Sequence, residues 1–179
     1  MTTLHIDSSI NGDNSASRAI SRSIVDRLAT DRLVYRDLVA EPLPHLTLDA
    51  FADSSVLDEF LSADTVVIGA PMYNFTVPTQ LKSWIDRIVI AGKTFRYTET
   101  GPEGLVKGKR VIVVIARGGF YNEDSPASAL EHLETYLRGV FNFIGIEPEF
   151  LFADGLSVSP EQRELSVSTA LGETLRLAA

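Results

Sequence analysis

The chain has 179 residues, 45% of them hydrophobic, enough to bury an α/β core without a disulfide or metal staple. It contains no cysteine, which excludes disulfide frameworks, thiolate nucleophiles and Cys-ligated zinc or iron–sulfur centres; any redox chemistry falls to a bound cofactor. With 16 basic against 24 acidic residues, a net charge of −8, the surface repels a phosphate backbone and argues against nucleic acid as a partner.

Five short apolar segments alternate with five segments of helical character. The opening Thr2-Thr3-Leu4-His5-Ile6-Asp7 lacks the basic-then-apolar pattern of a signal peptide. Its first strand is read at Leu4–Asp7, followed by a polar loop and an amphipathic stretch from Ser17 to Leu28. Leu33–Leu38 comes next, then a proline-containing loop and a short helix from Ser55 to Leu61. Thr65–Ala70 is a clear buried strand, with a helix from about Pro78 to Ile90 behind it. Residues 91–109 break the rhythm with glycines, a proline and charges, and read as an excursion from the sheet. Arg110–Ala116 is almost wholly β-branched and is followed by a long predicted helix, Ser125 to Phe143. Glu149–Ala153 and a helix from about Ser159 to Leu177 close the chain.

Near-continuous apolar strands alternating with helices predict a parallel sheet covered on both faces. Five such units predict a doubly wound α/β sheet of order 2-1-3-4-5. No repeat, linker or low-complexity tail divides the chain, so residues 1–179 read as a single domain. No apolar run approaches the ~20 residues of a membrane span, and a cytoplasmic location without a membrane partner is expected.

In such a sheet ligands bind outside the carboxyl ends of the strands where the order reverses, so three loops should meet. The loop after strand 1, Ser8 to Ser17, feeds a helix whose N-terminus suits a phosphate, with hydroxyls at Ser9, Ser15 and Ser17 as further donors. Ser15 or Ser17 also fits a plain N-cap. Neither G-x-G-x-x-G nor a P-loop is present. The loop after strand 3, Ala70-Pro71-Met72-Tyr73-Asn74-Phe75-Thr76-Val77-Pro78, offers apolar surface from Met72, Tyr73 and Phe75 for a flat ring. Asn74 and the backbone offer polar edge contacts, although a structural turn is the competing reading. After strand 4, Ala116-Arg117-Gly118-Gly119-Phe120-Tyr121 carries paired glycines whose bare N–H groups suit a developing anion, or make a simple turn. A phosphate end, a flat platform and an anion-stabilising edge together describe FMN better than other common ligands.

The runs Ala70 to Phe75 (A-P-M-Y-N-F), Thr79-Gln80-Leu81-Lys82, Lys93 to Leu105 (K-T-F-R-Y-T-E-T-G-P-E-G-L), Arg117-Gly118-Gly119 and Phe143-Ile144-Gly145-Ile146 resemble the FMN-dependent NADH-azoreductase and NAD(P)H quinone oxidoreductase family across essentially the whole chain. That resemblance implies a flavodoxin-like homodimer with tightly but non-covalently bound FMN at the dimer interface. NADH or NADPH would reduce it in a ping-pong cycle that passes electrons to quinones or cleaves aromatic azo bonds. By position, Ser9, Ser15, Ala16 and Ser17 would take the phosphate. Pro71, Met72, Tyr73, Asn74 and Phe75 would contact the ring and ribityl chain, and Ala116, Arg117, Gly118 and Gly119 the ring's other side. Tyr97, Phe120, Tyr121 and Phe143 are substrate-pocket candidates; of these Tyr97 and Phe143, with Phe95 in the 91–109 excursion, would border the partner subunit's site. Two departures stand out: Ala16 where relatives often carry Gln, and Ala116 where they often carry Ser. The segment between His45 and Ser55 is also short for the family. No side chain is singled out as catalytic, because the flavin carries the chemistry; Tyr73, Tyr97, Tyr121 and water remain open as proton donors.

Other classes fit less well. A receiver domain needs an Asp ending strand 3, where Gly69-Ala70-Pro71 stands, and a Lys after Phe150–Ala153. A serine hydrolase on Gly12-Asp13-Asn14-Ser15 needs a histidine in the same crevice, but His5 lies in strand 1, His45 in a distant loop and His132 within the predicted fourth helix. No metal-ligand spacing is present, so no metal site is expected. A flavodoxin-type electron carrier and a general NAD(P)H-dependent FMN reductase are the nearest alternatives.

Overall fold

The computed structural model describes residues 1–177. In chain order the elements are β1 (Thr2–Asp7), α1 (Ala16–Val25), β2 (Arg32–Asp37), α2 (Ser55–Ser62), β3 (Thr65–Pro71) and α3 (Thr79–Ile88). There follow β4 (Phe95–Thr98), β5 (Gly101–Gly104), β6 (Arg110–Ala116), α4 (Glu134–Ile144), β7 (Glu149–Ala153) and α5 (Pro160–Leu177). Five strands pair in parallel, and β3 and β6 lie side by side from Thr65↔Arg110 to Pro71↔Ala116. All seven residues of β3 are buried, the expectation for a strand covered on both faces.

Side chains alternate across the sheet, and that alternation divides the core in two. Val66, Ile68 and Ala70 of β3 pack with Phe60 of α2, Trp84 of α3 and Phe141 of α4 on one face. Val67, with Ile112 and Val114 of β6, packs against Ile20 and Ile24 of α1 and Ala170 of α5 on the other. Gly69 also faces α1, and a Cβ there would lie 2.5 Å from the Asp7 carboxylate. The glycine makes room for a buried polar group beside it.

The order in chain numbering is β2-β1-β3-β6-β7 rather than 2-1-3-4-5. The difference comes from two strands the sequence pattern does not anticipate. Within the 91–109 excursion, β4 and β5 form an antiparallel hairpin, Phe95↔Gly104 to Thr98↔Gly101, outside the main sheet. It rests on the end of α4, where Val106 N–H donates to the Ile144 carbonyl at 3.0 Å.

The fourth helix also starts later than predicted. Ser125 precedes a proline, which disfavours helical backbone there, and the segment before Glu134 is turns and a short 3-10 helix, Ser128–Leu130. Glu131 sets the true start, because its carboxylate accepts from the N–H groups of Leu133, Glu134 and Thr135. His132 therefore lies ahead of α4 rather than inside a helix. Gly145, at φ +97°, ends α4, with Ile146 N–H returning to the Phe141 carbonyl.

Candidate functional site

The carboxyl ends of β1, β3, β6 and β7 open onto one cleft of about 270 Å³. Its walls include Ser9, Ser15, Ala16 and Ser17 from the first loop and helix, Pro71, Met72 and Tyr73 from the end of β3 and the loop behind it, and Ala116 and Gly118 from the end of β6 and its loop. The three loops singled out in the sequence do converge.

One end of the cleft is shaped for an anion. Ser15 caps α1, its hydroxyl accepting from Arg18 N–H at 3.3 Å and lying 3.1 Å from the Ser17 hydroxyl. Among the described residues the N–H groups of Ala16 and Ser17 have no acceptor. The first turn carries no acidic side chain to take that role. A helix N-terminus presents about half a positive charge through such N–H groups.

Ser9 is held from two sides. Its carbonyl accepts from Arg18 at 2.8 and 3.1 Å, and Arg18 is clamped by Asp37 at the end of β2. The Arg18 bond, with the Val39 and Ala40 N–H groups, holds the Asp37 carboxyl below its ordinary range despite partial burial. From above, the Tyr73 hydroxyl lies 3.3 Å from Ser9 Oγ and accepts from Ile10 N–H at 3.0 Å. Tyr73 thus ties the loop after β3 to the loop after β1. Beneath Ser9, Asp7 accepts from Ser21 and Tyr35, and burial beside Asp7 pushes the Tyr35 phenol up to about 12.

The other end is a tight turn. Tyr73 and Thr76 exchange both backbone hydrogen bonds, and the residues between them, Asn74 and Phe75, have φ of 47° and 75°. Asn tolerates that region, but a bulky residue there costs roughly 1–2 kcal/mol. Two contacts hold the strain in place: His132 N–H donates to the Phe75 carbonyl, and Thr76 Oγ1 donates to the His132 carbonyl. Asn74 and Phe75 stand at the rim of the cleft rather than in its wall. Phe75 is 41% exposed, so Phe75→Gly sets a modest loss of apolar contact against relief of the positive φ and is expected to leave the unfolding free energy within ~1 kcal/mol of wild type. A urea titration that found a loss above about 2 kcal/mol would show that the ring's contacts outweigh the backbone strain.

Two members of the expected set point elsewhere. The Arg117 side chain is 4% exposed and turns away from the cleft, pairing bidentately with Asp154 at 2.6 and 2.7 Å and lying 3.6 Å from Glu131. Burial opposes its charge, but Asp154, then Glu131 and Glu134, more than offset this and raise its pKa. Gly119 faces Tyr121, not the cleft, while its carbonyl accepts from Gly155 N–H.

The substrate-pocket candidates divide into two groups. Phe120 is half-exposed over Gly155, and Tyr121 meets Phe75 edge-on at 6.4 Å, so both stand near the cleft mouth. Tyr97 and Phe143 lie apart, both against Phe95: Tyr97 edge-on with ring centroids 5.5 Å apart, Phe143 tilted at 4.5 Å. That aromatic shelf continues into an apolar groove formed by Val89, Tyr136 and Val140.

Sequence reasoning missed Asn11, Leu156, Ser157 and Arg163, which also line the cleft. Leu156 and Ser157 follow β7, whose carboxyl end opens at the same edge as β6; that adjacency was the available signal. Nothing in the pattern of α5 marks Arg163.

Fold and cleft together place the chain among the doubly wound α/β proteins with a ligand cleft at the sheet's switch point. Residues 1–177 match the family described as flavodoxin-like fold, and the chain belongs to that family. It is 55% identical to FMN-dependent NADH:quinone oxidoreductase 2 of Bradyrhizobium diazoefficiens, over 96% of each chain. Among solved structures, azoreductase AzrA superposes with a TM-score of 0.90 at 28% identity over 99% of each chain. An FMN-dependent NADH-azoreductase from Bacillus anthracis, solved in complex with FMN, superposes with a TM-score of 0.84 at 27% identity over the full length of both.

Proposed function

We propose that the chain is an FMN-dependent NAD(P)H:quinone oxidoreductase that works by a ping-pong cycle and cleaves aromatic azo bonds at the same site. The observation that carries this reading is the single cleft that joins an anion cradle at the α1 N-terminus to a slot between Met72 and Gly118. The curated relative's name and the azoreductase neighbours support it.

The residues present fit FMN. The unpaired N–H groups of Ala16 and Ser17, with the Ser9, Ser15 and Ser17 hydroxyls, would hold its phosphate. Backbone contacts serve at Ala16 and Ala116, so neither departure from the family pattern removes the site. At Gly118 a Cβ would lie 2.9 Å from Ser157 Oγ, so a side chain here would have to displace the Ser157 hydroxyl from the cleft wall. FMN, when bound, supplies the hydride-transfer chemistry that no side chain here supplies. The protein's part is to orient the ring, exclude water with Met72 and Tyr73, and present N–H donors at the Gly118 loop. Phe75, Phe120 and Tyr121 at the mouth offer faces for a flat aromatic acceptor.

The shelf of Phe95, Tyr97 and Phe143, with Tyr97 76% exposed, is read as the face that a second copy covers in a homodimer. A cytoplasmic location belongs to the same reading; no described helix is long and apolar enough to cross a membrane.

Anaerobic NADH is expected to bleach the visible absorbance of the FMN-loaded protein, and added benzoquinone to restore it. Initial rates with both substrates varied should give parallel double-reciprocal lines. Unchanged colour on NADH addition would overturn the activity; intersecting lines would overturn the ping-pong order.

A further inference from the structure

We propose that Arg163 on α5 is the residue that makes this cleft select a phosphorylated flavin over its unphosphorylated parent, by supplying the phosphate with a full positive charge. The inference rests on the reading of the cleft as an FMN site, and it extends that site to an element the family motifs do not include.

Arg163 is the one charged side chain among the described residues lining the cleft. Its position is tied to the anion end: one guanidinium nitrogen donates to the Asn14 carbonyl at 2.6 Å, and Asn14 immediately precedes Ser15, the cap of α1. Arg163 forms no salt bridge among the described residues, unlike Arg117 and Arg18, which are each committed to carboxylates. A guanidinium has five N–H donors in a planar fork, so most of them remain free after the Asn14 bond.

The need for such a charge follows from magnitudes. A phosphate monoester carries about −1.5 to −2 at pH 7, while a helix N-terminus offers roughly +0.5. The chain as a whole carries −8. Serine hydroxyls satisfy the phosphate's hydrogen bonds but not its charge. Arg163 closes that gap, and it does so from the last helix, so retention of the phosphate depends on α5 being docked. A ribityl chain without phosphate gains nothing from it.

The test is an equilibrium titration of apoprotein with FMN and, separately, with riboflavin, followed by quenching of flavin fluorescence; it requires no turnover. Arg163→Ala is expected to weaken FMN binding about tenfold, the loss of one charge-assisted contact, while leaving riboflavin affinity within about twofold. Arg163→Lys, which keeps the charge but not the fork, should recover part of the FMN affinity. Added salt should erode the wild-type preference for FMN and barely affect Arg163→Ala. Equal weakening of both flavins would overturn the proposal and assign Arg163 to bracing the Asn14 turn. Unchanged FMN affinity in Arg163→Ala would also overturn it. Wild-type apoprotein that binds neither flavin would remove the FMN reading itself, visible before any variant is compared.

Discussion

Arg117→Ala is expected to lower the free energy of unfolding by about 3 kcal/mol, the low end for a buried pair, because it leaves the largely buried Glu131 and the partly buried Asp154 without their cation. The residue is 4% exposed and joins three segments that would otherwise move separately. Asp154 anchors it to the end of β7, Glu131 to the cap of α4, and its backbone carries the Gly118 wall of the cleft. Through the segment after Glu131, His132 grips the strained Phe75 turn. The same variant should therefore lose flavin more readily, although Arg117 itself turns away from the cleft. Asp154→Leu added to Arg117→Met should recover most of the stability, because the orphaned charge, rather than the lost contact, is the main penalty. Urea titrations of the single and double variants check this. A loss below about 1 kcal/mol in Arg117→Ala would mean that the pair behaves like an exposed one.

Gly104→Ala is expected to be of similar size. A Cβ at Gly104 would lie 2.2 Å from the Gly145 nitrogen and 2.3 Å from the Ile144 carbonyl carbon. Both are backbone atoms of the α4 terminus, so relief requires the β4–β5 hairpin to lift as a body. Lifting it breaks the Val106-to-Ile144 hydrogen bond and the Phe95–Phe143 contact. A cost of roughly 3 kcal/mol follows from overpacking against immobile neighbours. The lifted hairpin would also distort the face proposed to meet a second copy, so the proposed dimer should be weaker by sedimentation. Gly172→Ala is the control: it sits in α5 with nothing within 4 Å of the new Cβ. It should gain about 0.5–1 kcal/mol. A melting temperature that falls for Gly172→Ala and holds for Gly104→Ala would reverse the packing argument.

The sheet was legible in the sequence because β3 and β6 are unbroken apolar runs, and only a strand buried on both faces sustains such a run. The hairpin was not, since β4 and β5 are four residues each and carry Gly, Pro and charge, with little burial to impose a pattern. The start of α4 depended on one carboxylate, Glu131, that reads in sequence as an ordinary surface residue. In the cleft, Ser9, Ser15 and Met72 could be named because their loops follow strands at the switch point. The direction of Arg117 could not, because its partner Asp154 becomes a neighbour only through the pairing of β6 with β7. Arg163 is farther out of reach, lying 149 residues from the Asn14 carbonyl that fixes it.

Crystals of the FMN-loaded protein decide whether the three loops form one flavin site. Phosphate density is expected against the Ala16 and Ser17 N–H groups, with the ring seated between Met72 and the Gly118 loop. Flavin density at any other surface, or a cleft filled by its own side chains in a protein that still turns over, would contradict it.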